Sequence, residues 1–95
     1  MKISETKMNL YAQEMSSVKN AILVHGNKGK DFEVYSRINQ YDKHYNMKED
    51  YFAILSAINN MVDIYNEFNN NVIKQFFYSN AAKKWYFILE DKASE

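Results

Sequence analysis

The sequence predicts an α+β fold, with two helices on one face of a four-stranded antiparallel sheet in the order α-β-β-α-β-β. Three observations point there. Residues 51–68 repeat apolar side chains at three- and four-residue steps, the signature of an amphipathic helix. Two stretches rich in β-branched and aromatic residues flank polar breaks of hairpin length, near residues 25–30 and 79–84. The chain of 95 residues is 46% hydrophobic and 16% aromatic, which is too apolar for a disordered segment and enough for one small domain spanning residues 1–95.

The first helix is expected over residues 4–19. Ser4 can serve as its N-cap, and Met8, Tyr11, Ala12, Met15 and Val18 share one face. Ala21-Ile22-Leu23-Val24 then reads as a short strand, and the two glycines in His25-Gly26-Asn27-Lys28-Gly29-Lys30 as a turn. Residues 31–38 place Phe32, Val34 and Ile38 on one face at period two and complete a first hairpin. The segment 39–45 fits strand, loop or helical turn.

Asn46-Met47-Lys48-Glu49 resembles a capping box and opens the second helix. Its stripe is Tyr51, Ile54, Leu55, Ile58, Met61, Val62, Tyr65 and Phe68, and Asn69-Asn70-Asn71 is a poor continuation that ends it. Residues 72–78 and 85–89 form the second hairpin around a polar tract. The alternative is an all-α small helical bundle. Tyr35, Ile38, Tyr41 and Tyr45 also sit at helical spacing, as do Ile73, Phe77, Ala81, Trp85 and Leu89. The dominance of Ile, Val, Phe, Tyr and Trp in these runs favours strands.

Strict alternation makes a prediction about the face of the sheet turned away from the helices. With Trp85, Phe87 and Leu89 inward, Tyr86 and Ile88 point outward. With Ile73 and Phe77 inward, Phe76 and Tyr78 point outward. Phe76, Tyr78, Tyr86 and Ile88, with Lys84 beside them, would form an aromatic-apolar patch of the kind that marks a protein partner surface.

Composition narrows the chemistry. With no cysteine, thiolate metal sites, iron–sulfur clusters, disulfides and a Cys nucleophile are excluded. Twelve basic residues balance twelve acidic ones, and Lys83-Lys84 is the only adjacent basic pair, so nucleic-acid binding is not expected. The alternative is a nucleic-acid-binding module that stacks bases on the sheet aromatics; Lys74, Lys83 and Lys84 are few for phosphate contacts, which ranks it below protein recognition. No apolar run approaches the roughly 20 residues of a bilayer span, and the start of the chain lacks a signal-peptide core, which together predict a cytoplasmic protein.

His25 and His44 have no second histidine or carboxylate cluster at ligand spacing, so no metal is expected. The glycine loop lacks the Walker spacing, so no phosphate-binding cofactor is expected either. The serines have no nucleophile-elbow context. Glu49-Asp50 fits the first turn of a helix, where acids meet the positive end of the dipole.

Arg37 and His44 bracket Ile38-Asn39-Gln40-Tyr41-Asp42-Lys43. This arrangement resembles the Arg–His motif of HEPN-type ribonucleases. The resemblance covers eight residues of 95, and Ile38 stands where that family usually has a polar residue beside the Arg. It implies RNA cleavage by Arg37 and His44 in an all-helical dimer.

The residues themselves favour a different function: a small non-enzymatic protein that binds a partner protein or a second copy of itself through Phe76, Tyr78, Lys84, Tyr86 and Ile88. Lysine outnumbers arginine eleven to one, asparagine occurs twelve times and proline is absent. That bias is typical of AT-rich coding sequence and associates the chain with phage or mobile-element accessory and inhibitor proteins.

Overall fold

A computed structural model describes residues 5–36 and 49–91. Helix α1 (Glu5–His25) is followed by a short 3-10 turn (Gly26–Lys28) and strand β1 (Phe32–Tyr35). Helix α2 (Glu49–Phe68) leads into strands β2 (Asn71–Ser79) and β3 (Lys84–Asp91). The fold is α+β, and the all-α alternative is not supported. Among the described residues the sheet has three strands in the order β1-β3-β2, both pairs antiparallel.

The expected strand at Ala21-Ile22-Leu23-Val24 is instead the last turn of α1. Leu10, Glu14, Val18 and Ile22 are all buried and follow one another at four-residue steps, so the buried stripe runs unbroken through the β-prone residues. Tertiary packing overrides local propensity here. The helix gives way at Gly26 to the 3-10 turn, which Gly29 closes. Gly29 takes the left-handed conformation (φ 69°), and its N–H donates to the Gly26 carbonyl at 3.0 Å. Without a strand at 21–24 the first hairpin does not form. β1 pairs instead with β3, with Phe32 opposite Phe87 and Val34 opposite Trp85.

The second helix and second hairpin lie where the sequence placed them, the helix from Glu49 and the strands with one or two residues added at their ends. The Ser4 and Asn46 caps and the 39–45 segment lie outside the described residues. The hairpin loop closes with Lys83 N–H donating to the Ser79 carbonyl at 2.8 Å and Ala82 N–H to Ser79 Oγ at 3.1 Å. Lys83 takes the positive φ (58°) of this loop.

Both helices lie on one face of the sheet. Val18 and Ile22 of α1 and Ile54, Ile58 and Val62 of α2 cluster with Ile73, Trp85 and Phe87. The helices run parallel. Tyr11, early in α1, bonds Asp50 at the start of α2, and Gly26, just past α1, abuts Tyr65 near the end of α2. Phe87 lies between Phe32 (ring centroids 4.7 Å apart) and Phe76 (5.8 Å), and Tyr51 of α2 stacks over Trp85 at 6.0 Å.

Polar groups pin this core at its margins. Glu14, 1% exposed, accepts hydrogen bonds from Trp85 Nε1 at 3.0 Å and from the Ser36 hydroxyl, joining α1 to β3 and to the end of β1. Asp50, 2% exposed, accepts from the Tyr11 hydroxyl and pairs with Lys7 at 3.3 Å. The Asn66 side chain accepts from Ile73 N–H at 2.7 Å and donates to Ile73 C=O at 3.0 Å. It thereby imitates a neighbouring strand and covers part of the open edge of β2. On β3, Asp31 performs a similar service, accepting from Leu89 N–H at 2.8 Å.

Two stability predictions follow from these contacts. Asn66→Ala strips both partners from the Ile73 peptide groups and is expected to cost about 1–3 kcal/mol in urea unfolding followed by Trp85 fluorescence. The Tyr65 hydroxyl is buried with no hydrogen-bond partner among the described residues, and burial raises its pKa above the usual phenol value of 10.0. A phenol that holds its proton more tightly when folded stabilises fully below that ordinary value. The contribution is lost as pH rises through the folded pKa. Tyr65→Phe is therefore expected to leave neutral-pH stability unchanged or higher and to flatten the decline in stability at alkaline pH.

Candidate protein-interaction face

The outer face of the sheet is set by which residues of β3 are buried. Trp85 and Phe87 are 2% and 0% exposed, so they define the inner face, and Lys84, Tyr86, Ile88 and Glu90 take the outer one. Register then carries the assignment to the neighbouring strands. Tyr35 and Ser79 flank Lys84, Glu33 and Phe77 flank Tyr86, and Gln75 lies opposite Ile88.

A β-bulge corrects the expected membership of this face. The register slips between Ile73 and Gln75, so Lys74 is an extra residue in β2. One inserted residue reverses the side-chain parity of everything beyond it. Ile73 points inward as expected, but Phe76 and Tyr78 then also point inward and pack against the core. Phe77 turns outward and is 42% exposed. Of the five residues expected on the outer face, Lys84, Tyr86 and Ile88 are there, and Phe76 and Tyr78 are not. Tyr35 and Phe77 take their place. The signal for Phe77 was present in the sequence: the polar doublet Lys74-Gln75 between Ile73 and Phe76 breaks strict alternation. Nothing local signalled Tyr35, because its place depends on β1 pairing across the chain with β3.

The face has an aromatic centre and charged margins. The Phe77 and Tyr86 rings stack with centroids 5.4 Å apart and planes 18° from parallel. Tyr35, 69% exposed, lies beneath the Lys84 ammonium, which sits 4.5 Å from its ring centroid. The same ammonium donates to Glu33 at 2.6 Å. That hydrogen bond is the main cause holding the Lys84 pKa above the usual lysine value. At the other end, Lys74 and Glu90 approach to 3.5 Å. Both lysines of the face are thus balanced by carboxylates of the same face.

The remaining candidates carry less chemistry. No group of three His, Cys, Asp or Glu suited to a metal occurs among the described residues. His25 is exposed and packs its ring on Phe32 at 5.6 Å. Glu14 and Asp50 are sealed from solvent and already accept protein hydrogen bonds, so they serve as structural pins with no route for a substrate. Arg37 and His44 lie outside the described residues. The helix that the ribonuclease resemblance requires over 31–45 is contradicted by β1, which occupies residues 32–35 as a strand. No helix among the described residues is long and apolar enough to cross a membrane.

Comparison with known protein families, curated proteins and solved structures finds no match to this chain.

The bulge makes adjacent phenylalanines unequal. Phe76→Ala opens the core and is expected to cost about 2–4 kcal/mol. Phe77→Ala, which loses one exposed cross-strand ring pair, should cost less than about 1 kcal/mol. Equal losses in chemical denaturation would contradict the assigned parity.

Proposed function

We propose that the chain is a protein-binding module with no catalytic chemistry of its own, and that it docks a partner protein on the outer face of its sheet. The observation that carries this reading is the stacked Phe77–Tyr86 pair on the face opposite the helices, with exposed Tyr35 beside it. Aromatic side chains at the centre and charged groups at the margin are the usual anatomy of a protein–protein interface. Tyr and Phe also lose little conformational freedom on contact, because each has only two side-chain torsions.

Charge argues for protein over nucleic acid. The aromatics could stack bases, but Lys84 and Lys74 are paired with Glu33 and Glu90, leaving the face without net positive charge. The fitting partner surface is apolar or aromatic at its centre. An accessory or inhibitor role in a phage or mobile element is consistent with the small size and the AT-rich style of composition. In such a role the protein would act by covering a surface of its target.

The test is affinity capture from the native host with the intact protein and with a Phe77→Ser/Tyr86→Ser variant whose circular dichroism matches the parent. The expected result is a partner retained by the parent and lost by the variant. Retention of the same proteins by both baits would remove the sheet face as the docking site. Release of a nucleic acid at moderate salt would favour base stacking instead.

A further inference from the structure

The helix layer carries a second apolar surface, on the side away from the sheet. A groove of about 400 Å³ runs between the helices, with Leu23, Ile64 and Phe68 exposed along it. Such a groove accepts any apolar group and specifies no occupant. The margin of the sheet is more selective. An unpaired strand edge offers peptide N–H and C=O groups at fixed spacing, and another extended backbone is what matches such a row.

β1 is an outer strand of the sheet, with β3 on one side. Ser36 N–H donates to the Lys83 carbonyl at 2.9 Å, which sets the alternation of the ladder. Residues 32, 34 and 36 turn their peptide groups toward β3, so Glu33 and Tyr35 turn theirs away from it. Among the described residues, no hydrogen bond reaches the outward N–H and C=O groups of Glu33 and Tyr35. Other edge positions are guarded. On β2 the bulge at Lys74 interrupts the edge, and Asn66 occupies both peptide groups of Ile73. Where β3 runs on past β1, Asp31 takes the Leu89 N–H. The register of β1 is regular from Phe32 to Tyr35, without a bulge. A charged side chain on an outer strand commonly blocks it. Here the charge is drawn aside. The Lys84 ammonium binds the Glu33 carboxylate at 2.6 Å and lies 4.5 Å from the Tyr35 ring centroid. Lys84 belongs to β3, so one ammonium gathers toward the middle of the sheet the side chains of the two residues whose peptide groups face out.

We infer that the outer edge of β1 receives an extended segment of the partner protein as an added strand. The inference deepens the proposed function and rests on its reading that the chain docks a partner protein. Contact with the exposed Tyr35 ring on the sheet face continues into backbone pairing at the edge. Glu33 and Tyr35 each contribute one donor and one acceptor to that pairing. Side-chain alternation then sets the chemistry of the segment. Residues opposite Glu33 and Tyr35 project over the outer face. An acidic group there would meet the Glu33 carboxylate, so basic or hydroxyl-bearing side chains are favoured. The residue opposite Val34 projects to the helix side. Phe32 and Val34 are only partly buried at that margin, and a β-branched or aromatic side chain completes their cover. The class of ligand is an extended, β-prone, non-acidic peptide segment.

The experiment pans a phage-displayed library of linear heptapeptides against the immobilised intact protein. The consensus peptide is then titrated by calorimetry into the parent and into variants checked by circular dichroism. Tyr35→Pro removes an N–H that faces away from β3, a place where an outer strand accepts proline. Tyr35→Ala removes the same side chain and keeps the N–H. The consensus is expected to alternate β-branched residues with basic or hydroxyl-bearing ones. It should bind Tyr35→Pro about tenfold more weakly than Tyr35→Ala, the effect of leaving one interfacial carbonyl without its donor. Methylating the peptide's amide nitrogens one at a time should abolish binding at alternate positions only, since every second N–H faces β1. If Tyr35→Pro fails to fold, the methylation series alone decides. No enriched sequence, equal affinity for the two folded Tyr35 variants, or a methylation series without alternation would each overturn the proposal. Capture from the native host separates this inference from the sheet-face reading. A partner lost from Phe77→Ser/Tyr86→Ser yet retained by folded Tyr35→Pro overturns strand addition and leaves the face standing. A partner retained by Phe77→Ser/Tyr86→Ser and by Tyr35→Ala but lost from Tyr35→Pro removes the face and supports the edge.

Discussion

The hydrogen bond from Trp85 to Glu14 is the constraint on which the arrangement depends. Trp85 is on the central strand and Glu14 on the first helix, and both are almost wholly buried. A carboxylate in that position costs several kcal/mol of desolvation unless donors reach it. Trp85 Nε1 and the Ser36 hydroxyl both do, the one from β3 and the other from the end of β1. The three elements must therefore meet at one point. An α1 rotated by one residue would turn Glu14 off the indole and lift Val18 and Ile22 from the core. An apolar core alone would tolerate such a slip more easily than a core with a buried polar pin. The pin also fixes which face of β3 is inner, and thereby which side chains reach the outer surface.

Second in importance is the inserted Lys74. Without the register slip, regular alternation would put Phe76 and Tyr78 outside and Phe77 inside. With it, Phe76 stacks on Phe87 and Tyr78 lies on Trp85, with ring centroids 5.8 and 5.0 Å apart. The bulge therefore assigns two aromatics to stability and one to the surface. It also leaves the Lys74 ammonium 3.5 Å from the Glu90 carboxylate, where the pair balances charge at the margin of the face. Asn66 holds the adjoining Ile73 by both peptide groups. The irregularity is thus anchored on the helix side and is a fixed feature of the strand.

What the sequence made legible was the structure governed by local rules. The stripe of α2 is long and one-sided, the Asn run stops it, and the last two apolar runs straddle a polar tract of turn length, so the helix and hairpin were readable. What it hid was decided by distant partners. Ala21-Ile22-Leu23-Val24 has strand-forming residues, but Ile22 continues the buried stripe of Leu10, Glu14 and Val18, and that packing keeps the segment helical. The pairing of β1 with β3 joins residues about fifty positions apart, which no local pattern encodes. Glu14 looks like any exposed helix acid until the indole that binds it is in place. The outer face was half legible for the same reason. Alternation identified Lys84, Tyr86 and Ile88 on the central strand, whereas Phe77 required the bulge and Tyr35 required the long-range pairing.

Both surfaces follow from the small size of the sheet. Three strands about 4.8 Å apart make a ribbon roughly 10–15 Å across, whereas two helices side by side span about 20 Å. The helix layer is wider than the sheet beneath it, so side chains on the facing flanks of α1 and α2 cannot all reach strand residues. They fill the groove between the helices instead. Leu23, Ile64 and Phe68 are left over after that groove is lined, just as Tyr35 and Phe77 are left over on the other side of the sheet. A short chain that used only two layers would be expected to make both outer surfaces polar, since an exposed apolar group gives a single copy no stability and invites aggregation. Here apolar groups persist on both, with different character. The helix seam is lined by aliphatic and aromatic side chains, with Lys19 and Asn69 at its margin. The sheet face is ringed by paired charges and centred on flat rings, which suits a partner with its own shape.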